Sequence, residues 1–133
     1  MKKFRTVQIL LIFAGIIGIG VGGAQLFIPV VFESSASINL GNNSSLLSEI
    51  RAAGGTLLIA GIIIMAGAFI PQITYSSVAL SALFYLSYGV SRMLSMSIDG
   101  MPSESLVMAT VAEIIVGVFS LWVFAGLQKE KVY

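Results

Sequence analysis

The chain has 133 residues, 57% of them hydrophobic and 10% charged, with a formal net charge of +1. A soluble domain carries about 25% charged residues, so most of this surface must face lipid, and a near-neutral balance leaves no electrostatic footprint for nucleic acid. The sequence has no Cys and no His, which excludes disulfides, thiol redox relays, a catalytic His and Cys- or His-ligated metals. Nor does any acidic cluster have the spacing of a hard-metal loop; no metal and no cofactor is expected.

The chain opens with a short basic stretch, MKKFR, and then runs from residue 6 to residue 32 without a charge. Spanning a bilayer takes roughly 20 apolar residues, so a first membrane helix is predicted at about 6–31, with Pro29 marking its exit. A cleavable signal peptide fits less well, because the apolar run is too long for one. Gly15, Gly18 and Gly22 fall near one helical face, and the Gly18-x-x-x-Gly22 spacing is one that lets helices approach closely. The polar segment 33–49 has no Lys or Arg and is predicted as an external loop, with Ser44 or Ser45 capping the next helix. Asn42 and Asn43 both match a glycosylation pattern, which would carry no meaning if the chain were bacterial.

No charge appears between Arg51 and Arg92. As one helix this run would be about 60 Å long, twice the roughly 30 Å of a bilayer core. It must therefore hold two spans, and Pro71-Gln72 is the break. The predicted helices are about 47–70 and 73–96, antiparallel neighbours joined by a very short turn. Asp99-Gly100 and Pro102-Ser103 form a second turn, with Ser103 as N-cap of a fourth helix at about 104–127; a polar tail follows. Lys2, Lys3, Arg5, Lys129 and Lys131 flank the two ends while the polar loops have no Lys or Arg. The positive-inside rule then puts both termini in the cytoplasm and requires an even number of spans. The expected fold is an all-α, integral membrane four-helix bundle forming a single domain.

Polar residues inside the spans point to a site. Ser77, Ser81, Tyr85, Tyr88, Arg92 and Ser95 repeat every three or four residues, so they share one face of the third helix. Polar groups facing lipid are costly, and this face should turn into the bundle. The second helix carries small residues at seven-residue repeats, Gly54, Gly61 and Ala68 beside Ala53, Ala60 and Gly67; Gly54, Gly55 and Gly61 are the candidates for close packing. Glu113 lies about 13 Å below the external start of the fourth helix, at 1.5 Å per residue. A carboxylate there must face inward and find a partner, on the side it shares with Thr110, Gly117 and Ser120. Arg51, Arg92 and Glu113 are all expected in the outer half. The prediction is one buried polar cluster or ligand site of Arg51, Tyr85, Tyr88, Arg92, Asp99 and Glu113, rimmed by Glu49 and Glu104.

The run IRAAGGTLLIAG at 50–61, GVSRMLSMSIDGMP at 89–102 and the Ala112-Glu113 pair resemble a bacterial membrane family, domain of unknown function 4345, itself similar to the DoxX-like group of small four-helix membrane proteins. The matching positions are Arg51, Gly54 and Gly55; Gly89, Arg92 and Ser95; Asp99, Gly100 and Pro102; and Glu113. The family's Gly-Arg dipeptide is replaced here by Ser91-Arg92. The resemblance covers about residues 29–124 and implies a bacterial inner-membrane protein with four helices. It carries no established activity and assigns no catalytic residue.

Three functions compete on this reading. The first is a non-catalytic protein that binds a lipid, a quinone or another amphipathic molecule between the helices, or a membrane partner or second copy of itself. Its head group would meet Arg51, Arg92 and Tyr88, which favours an acidic or carbonyl-bearing group. The second is a proton- or ion-coupled transporter subunit with Glu113 as carrier. The third is an intramembrane enzyme with Glu113 as general acid or base. The same charges also suit a closed structural ion-pair network.

Overall fold

The apolar runs become helices whose ends are set by Pro, Gly and one Asn. The structure, a computed structural model, describes residues 2–131; Met1, Val132 and Tyr133, at the predicted basic start and polar tail, lie outside the described residues. Five helices follow in order among the described residues: α1 (Lys2–Phe27), α2 (Pro29–Ser35), α3 (Ser44–Ala66), α4 (Pro71–Asp99) and α5 (Glu104–Lys131). No strand occurs among them. All but α2 are long and apolar enough to cross a membrane, and the chain is a multi-pass membrane protein by that measure.

Local chemistry explains the boundaries and corrects several expectations. Pro29 does not simply end the first helix. Ile28 leaves helical geometry at φ −131°, ψ 50°, and Pro29 then starts the short α2, because a ring-locked φ and a missing N–H suit a first helical turn. Part of the predicted external loop is therefore helix. Asn43, rather than Ser44 or Ser45, caps α3: its side-chain oxygen accepts from the Leu46 N–H at 3.1 Å. Pro71 likewise begins α4 rather than sitting in the turn. At the other end α4 runs on to Asp99 and stops at Gly100, whose φ of +97° only glycine adopts freely. Ser103 does not cap α5 with its hydroxyl. It donates instead to the Ala36 carbonyl at 2.8 Å, tying the α4–α5 turn to the end of α2.

The bundle is built from two tightly packed pairs, α1 with α3 and α4 with α5, joined mainly along α3 and α4. The first pair meets backbone to backbone. A Cβ on Gly18 would lie 2.9 Å from Gly61 Cα, one on Gly61 2.6 Å from Ile19 N, and one on Gly54 2.8 Å from Leu26 N. Close approach of this kind compensates, through dispersion contacts, for the missing hydrophobic drive between helices in lipid. Gly55 stands outside the interface, with only Leu26 Cδ1 at 3.9 Å from a Cβ built there. Large side chains such as Ile9, Phe13, Ile115 and Trp122 point outward, as a lipid-facing surface requires.

α4 is the hub of the polar contacts. Ser77 donates to Ile63 O of α3 at 2.9 Å, Ser81 and Ser120 of α5 share a hydrogen bond at 2.8 Å, and Tyr85 donates to Ala14 O of α1. The predicted stripe thus faces inward from Ser77 to Arg92. It leaves the interior at Ser95, which is exposed and bonded to Asp99 at 2.9 Å. At the end of the bundle away from the α2–α3 and α4–α5 loops, Lys3 pairs with Glu130 and brings the two ends of the chain together.

Candidate functional site

The two helix pairs are not closed over their full length. Toward the loop end α1, α2, α4 and α5 enclose open space, with α2 on one side of it. A cavity of about 560 Å³ lies there, walled by Ile17, Val21, Phe32 and Leu106 and reached by the polar side chains of Gln25, Glu33, Arg92 and Glu113. A narrower space of about 50 Å³ continues between α1, α3 and α4, against Gly18, Gly61, Tyr85 and Tyr88. Gln25, Tyr85, Arg92 and Glu113 border both.

Arg92 and Glu113 meet at the junction. Arg92 Nε donates to both carboxylate oxygens of Glu113, at 3.1 and 3.3 Å. Their side chains are 31% and 15% exposed, so the pair is sheltered without being sealed. The guanidinium carbon also lies 6.0 Å from the centroid of the Tyr88 ring, within range of a cation–π contact, and Tyr88 stacks on Phe84 with centroids 6.2 Å apart. Sequence spacing explains the arrangement: Phe84, Tyr88 and Arg92 are four residues apart, so ring, ring and guanidinium lie one above the other along α4. Tyr85 is 5% exposed, and its hydroxyl is bound to Ala14 O, so it serves as a strut between α1 and α4 at the cavity floor.

Arg51 does not join this pair. It is exposed, borders neither cavity, and donates to the Leu26 carbonyl. The reason is local. Leu26 is in the last turn of α1, where carbonyls lack helical partners and a cation is favoured by the helix dipole. Arg51, on the first turns of the neighbouring α3, fills that role. Glu49, Asp99 and Glu104 are exposed at the same end and border neither cavity. The predicted set of site residues therefore divides. Tyr85, Tyr88, Arg92 and Glu113 come together, while Arg51 and Asp99 stand apart. Gly54 and Gly61 pack backbone to backbone, and Gly55 does not. Thr110, on Glu113's side of α5, is buried and bonds back to Leu106 O at 2.8 Å.

Two residues of the site were not singled out by sequence reasoning. Glu33 is 5% exposed and accepts a hydrogen bond from Gln25 Nε2 at 3.0 Å. It looked like the first residue of an external loop, but the extra helix begun by Pro29 folds it back over the bundle. Gln25 had a visible signal. It follows Ile17 and Val21 at four-residue steps, which puts an amide on the same face of α1 as two cavity-wall residues. Among the described residues no group of His, Cys, Asp and Glu could hold a metal ion.

A family model described as "Domain of unknown function (DUF4345)" matches residues 6–124. The chain belongs to that family, and the match begins well before Pro29, taking in nearly all of α1. No curated protein and no solved structure matches the chain.

Proposed function

We propose that this member of the DUF4345 family is a non-catalytic membrane protein that holds an amphipathic molecule between its helices, with the head group beside Arg92 and Glu113. The observation that carries the reading is the cavity of about 560 Å³, a volume typical of small-molecule sites. Its walls are largely apolar, as an acyl or isoprenoid tail requires, and Gln25, Glu33, Arg92 and Glu113 bring polar groups to it, as a head group requires. We place the protein in a bacterial inner membrane with both termini cytoplasmic. The support is the cluster of Lys2, Lys3, Arg5 and Lys129 at the chain ends and the absence of Lys and Arg from the connecting segments at the other end. The cavity then lies in the outer half of the bilayer.

Glu113 as a proton carrier, or as the acid or base of an intramembrane enzyme, is the weaker reading. Both of its oxygens are engaged by Arg92 Nε, so either role would first require that pair to open. The binding reading is tested by purifying the chain in neutral nanodiscs, extracting bound lipophiles for mass spectrometry, and measuring melting across a panel of lipids and quinones. A copurifying lipophile and a raised melting temperature with a subset of the panel are expected, since a ligand at 100 times its Kd stabilises by about 2.7 kcal/mol. No lipophile and an unchanged melting temperature across the panel would overturn it.

A further inference from the structure

The polar groups of the large cavity do not balance, and the imbalance bears on the head group. Arg92 and Glu113 neutralise each other. Glu33 has no such partner: among the described residues no Lys or Arg lies within ion-pair distance of it, and its bond is to the neutral amide of Gln25. A carboxylate 5% exposed is poorly solvated, and buried charges are normally paired.

Gln25 supplies a second observation. An ionised carboxylate only accepts hydrogen bonds, so the Gln25 amide must turn its NH₂ toward Glu33. Its oxygen, Oε1, is thereby directed elsewhere, and it is fully shielded with no hydrogen-bond partner. Buried acceptors are rarely left unpaired, because the group has given up water for nothing. Both residues border the same cavity. The wall of that cavity thus holds a carboxylate lacking a cation, hydrogen-bonded to an amide whose own oxygen is shielded from the open space and lacks a donor.

We propose that the head group recognised here is an ammonium, carried by an amphiphilic amine or by an amine-bearing lipid, with its N–H groups directed at Glu33 beside the Gln25 amide. The inference rests on the binding reading above and specifies its ligand class. It reverses the sequence-based expectation of an acidic or carbonyl-bearing head group, which depended on Arg51, Arg92 and Tyr88 meeting it together; Arg51 lies outside the site and Arg92 is paired with Glu113. An ammonium has several donors and no acceptor, matching a site whose unmet demands are for donors and positive charge. Carboxylates, phosphates lacking an amine and oxidised quinones bring acceptors and meet neither demand.

The test titrates four probes of one tail length, dodecylamine, dodecanol, dodecanoate and dodecyl phosphate, into the chain in phosphatidylcholine nanodiscs, subtracting protein-free discs. Dodecylamine should bind about tenfold or more tightly than dodecanoate and dodecyl phosphate, the effect of one charge-assisted hydrogen bond. Glu33→Gln should remove that preference, and Glu49→Gln, on an exposed residue at the same end, should leave it intact. Replacing phosphatidylcholine by phosphatidylethanolamine separates the two sources of ammonium. Weakened dodecylamine binding assigns the site to membrane lipid, and undiminished binding assigns it to a free amphiphilic amine. Equal or tighter binding of dodecanoate or dodecyl phosphate overturns the ammonium proposal while leaving the binding reading in place, as does an amine preference that survives Glu33→Gln. Binding of none of the four overturns both. The ranking on the natural chain decides the head-group class by itself, so it does not depend on a variant that folds.

Discussion

The half of the bundle near the chain ends and the half near the loops use their polar side chains to opposite effect. Near the chain ends, hydroxyls on α4 are spent on closure: Thr74 donates to Gly67 O at 2.6 Å, Ser77 to Ile63 O at 2.9 Å, and Ser81 pairs with Ser120. Gln8 adds a bond from α1 to Ala68 O at 2.9 Å. Near the loops, Gln25, Glu33, Arg92 and Glu113 gather around empty space, and one buried oxygen goes without a partner. A short neutral hydroxyl can satisfy a facing carbonyl within a close-packed seam. Long charged side chains hold helices apart and need either each other or a guest. The chain-end half also has a space, of about 420 Å³ between α1 and α5, but the polar side chains at it are the exposed Lys2, Lys3, Thr6 and Lys129 rather than buried ones; the α4 seam there behaves as scaffold and the loop-end half as site.

The comparison can be broken most severely at the α1–α3 seam. Gly61→Val places side-chain atoms against the backbone of Gly18 and Ile19, which cannot give way as a flexible side chain could, and should destabilise by about 1–3 kcal/mol or more. Gly55→Ala on the same helix meets open space and should stay within about 0.5 kcal/mol. Melting of the two variants in detergent or nanodiscs checks the contrast. Equal losses would show that the seam is not as close as described.

Arg92→Met comes next. It strands Glu113, at a cost between that of a surface pair and the roughly 3–5 kcal/mol of a fully buried one; the partial exposure of both side chains puts the expectation at about 1–3 kcal/mol. The double variant Arg92→Met with Glu113→Gln should recover most of the loss, because no uncompensated charge remains. Failure to recover would mean that Arg92 acts chiefly through Tyr88 and the cavity wall. A smaller effect sharpens the scaffold side: a double-mutant cycle on Ser81→Ala and Ser120→Ala should return a coupling of about 0.6 kcal/mol, the average for such bonds between membrane helices. Smallest of all, Arg51→Gln loses a partly solvated bond to the end of α1. It should cost no more than about 0.5 kcal/mol and leave amphiphile binding unchanged, whereas a loss of binding would return Arg51 to the site.

These effects track what could be read from residues alone. The inward face of α4 was legible because polar groups at a helical period have only one place to go in lipid. The Arg92–Glu113 pair was legible because each needed a partner and each lay at matching depth on antiparallel helices. Arg51 was misplaced because its depth was right but its direction was not. Sequence gives the level of a residue in the membrane more readily than its azimuth, and a free carbonyl at the end of α1 leaves no mark in the sequence. Glu33 was missed for the converse reason. Pro29 both ends one helix and begins another, and only the three-dimensional path shows that the second folds inward. The cavity lies between α1, α2, α4 and α5, and a space bounded by elements far apart in the chain is a property of packing.

The central claim is that the loop-end space beside Arg92 is a binding site rather than a gap in a structural lock. Its most direct test is a crystal structure of the chain grown from a lipid mesophase. The account predicts non-protein density between α1, α2, α4 and α5, with its polar end against Glu33, Gln25 and the Arg92–Glu113 pair. Side chains collapsed into that space, with Gln25 Oε1 satisfied by the protein itself, would contradict it.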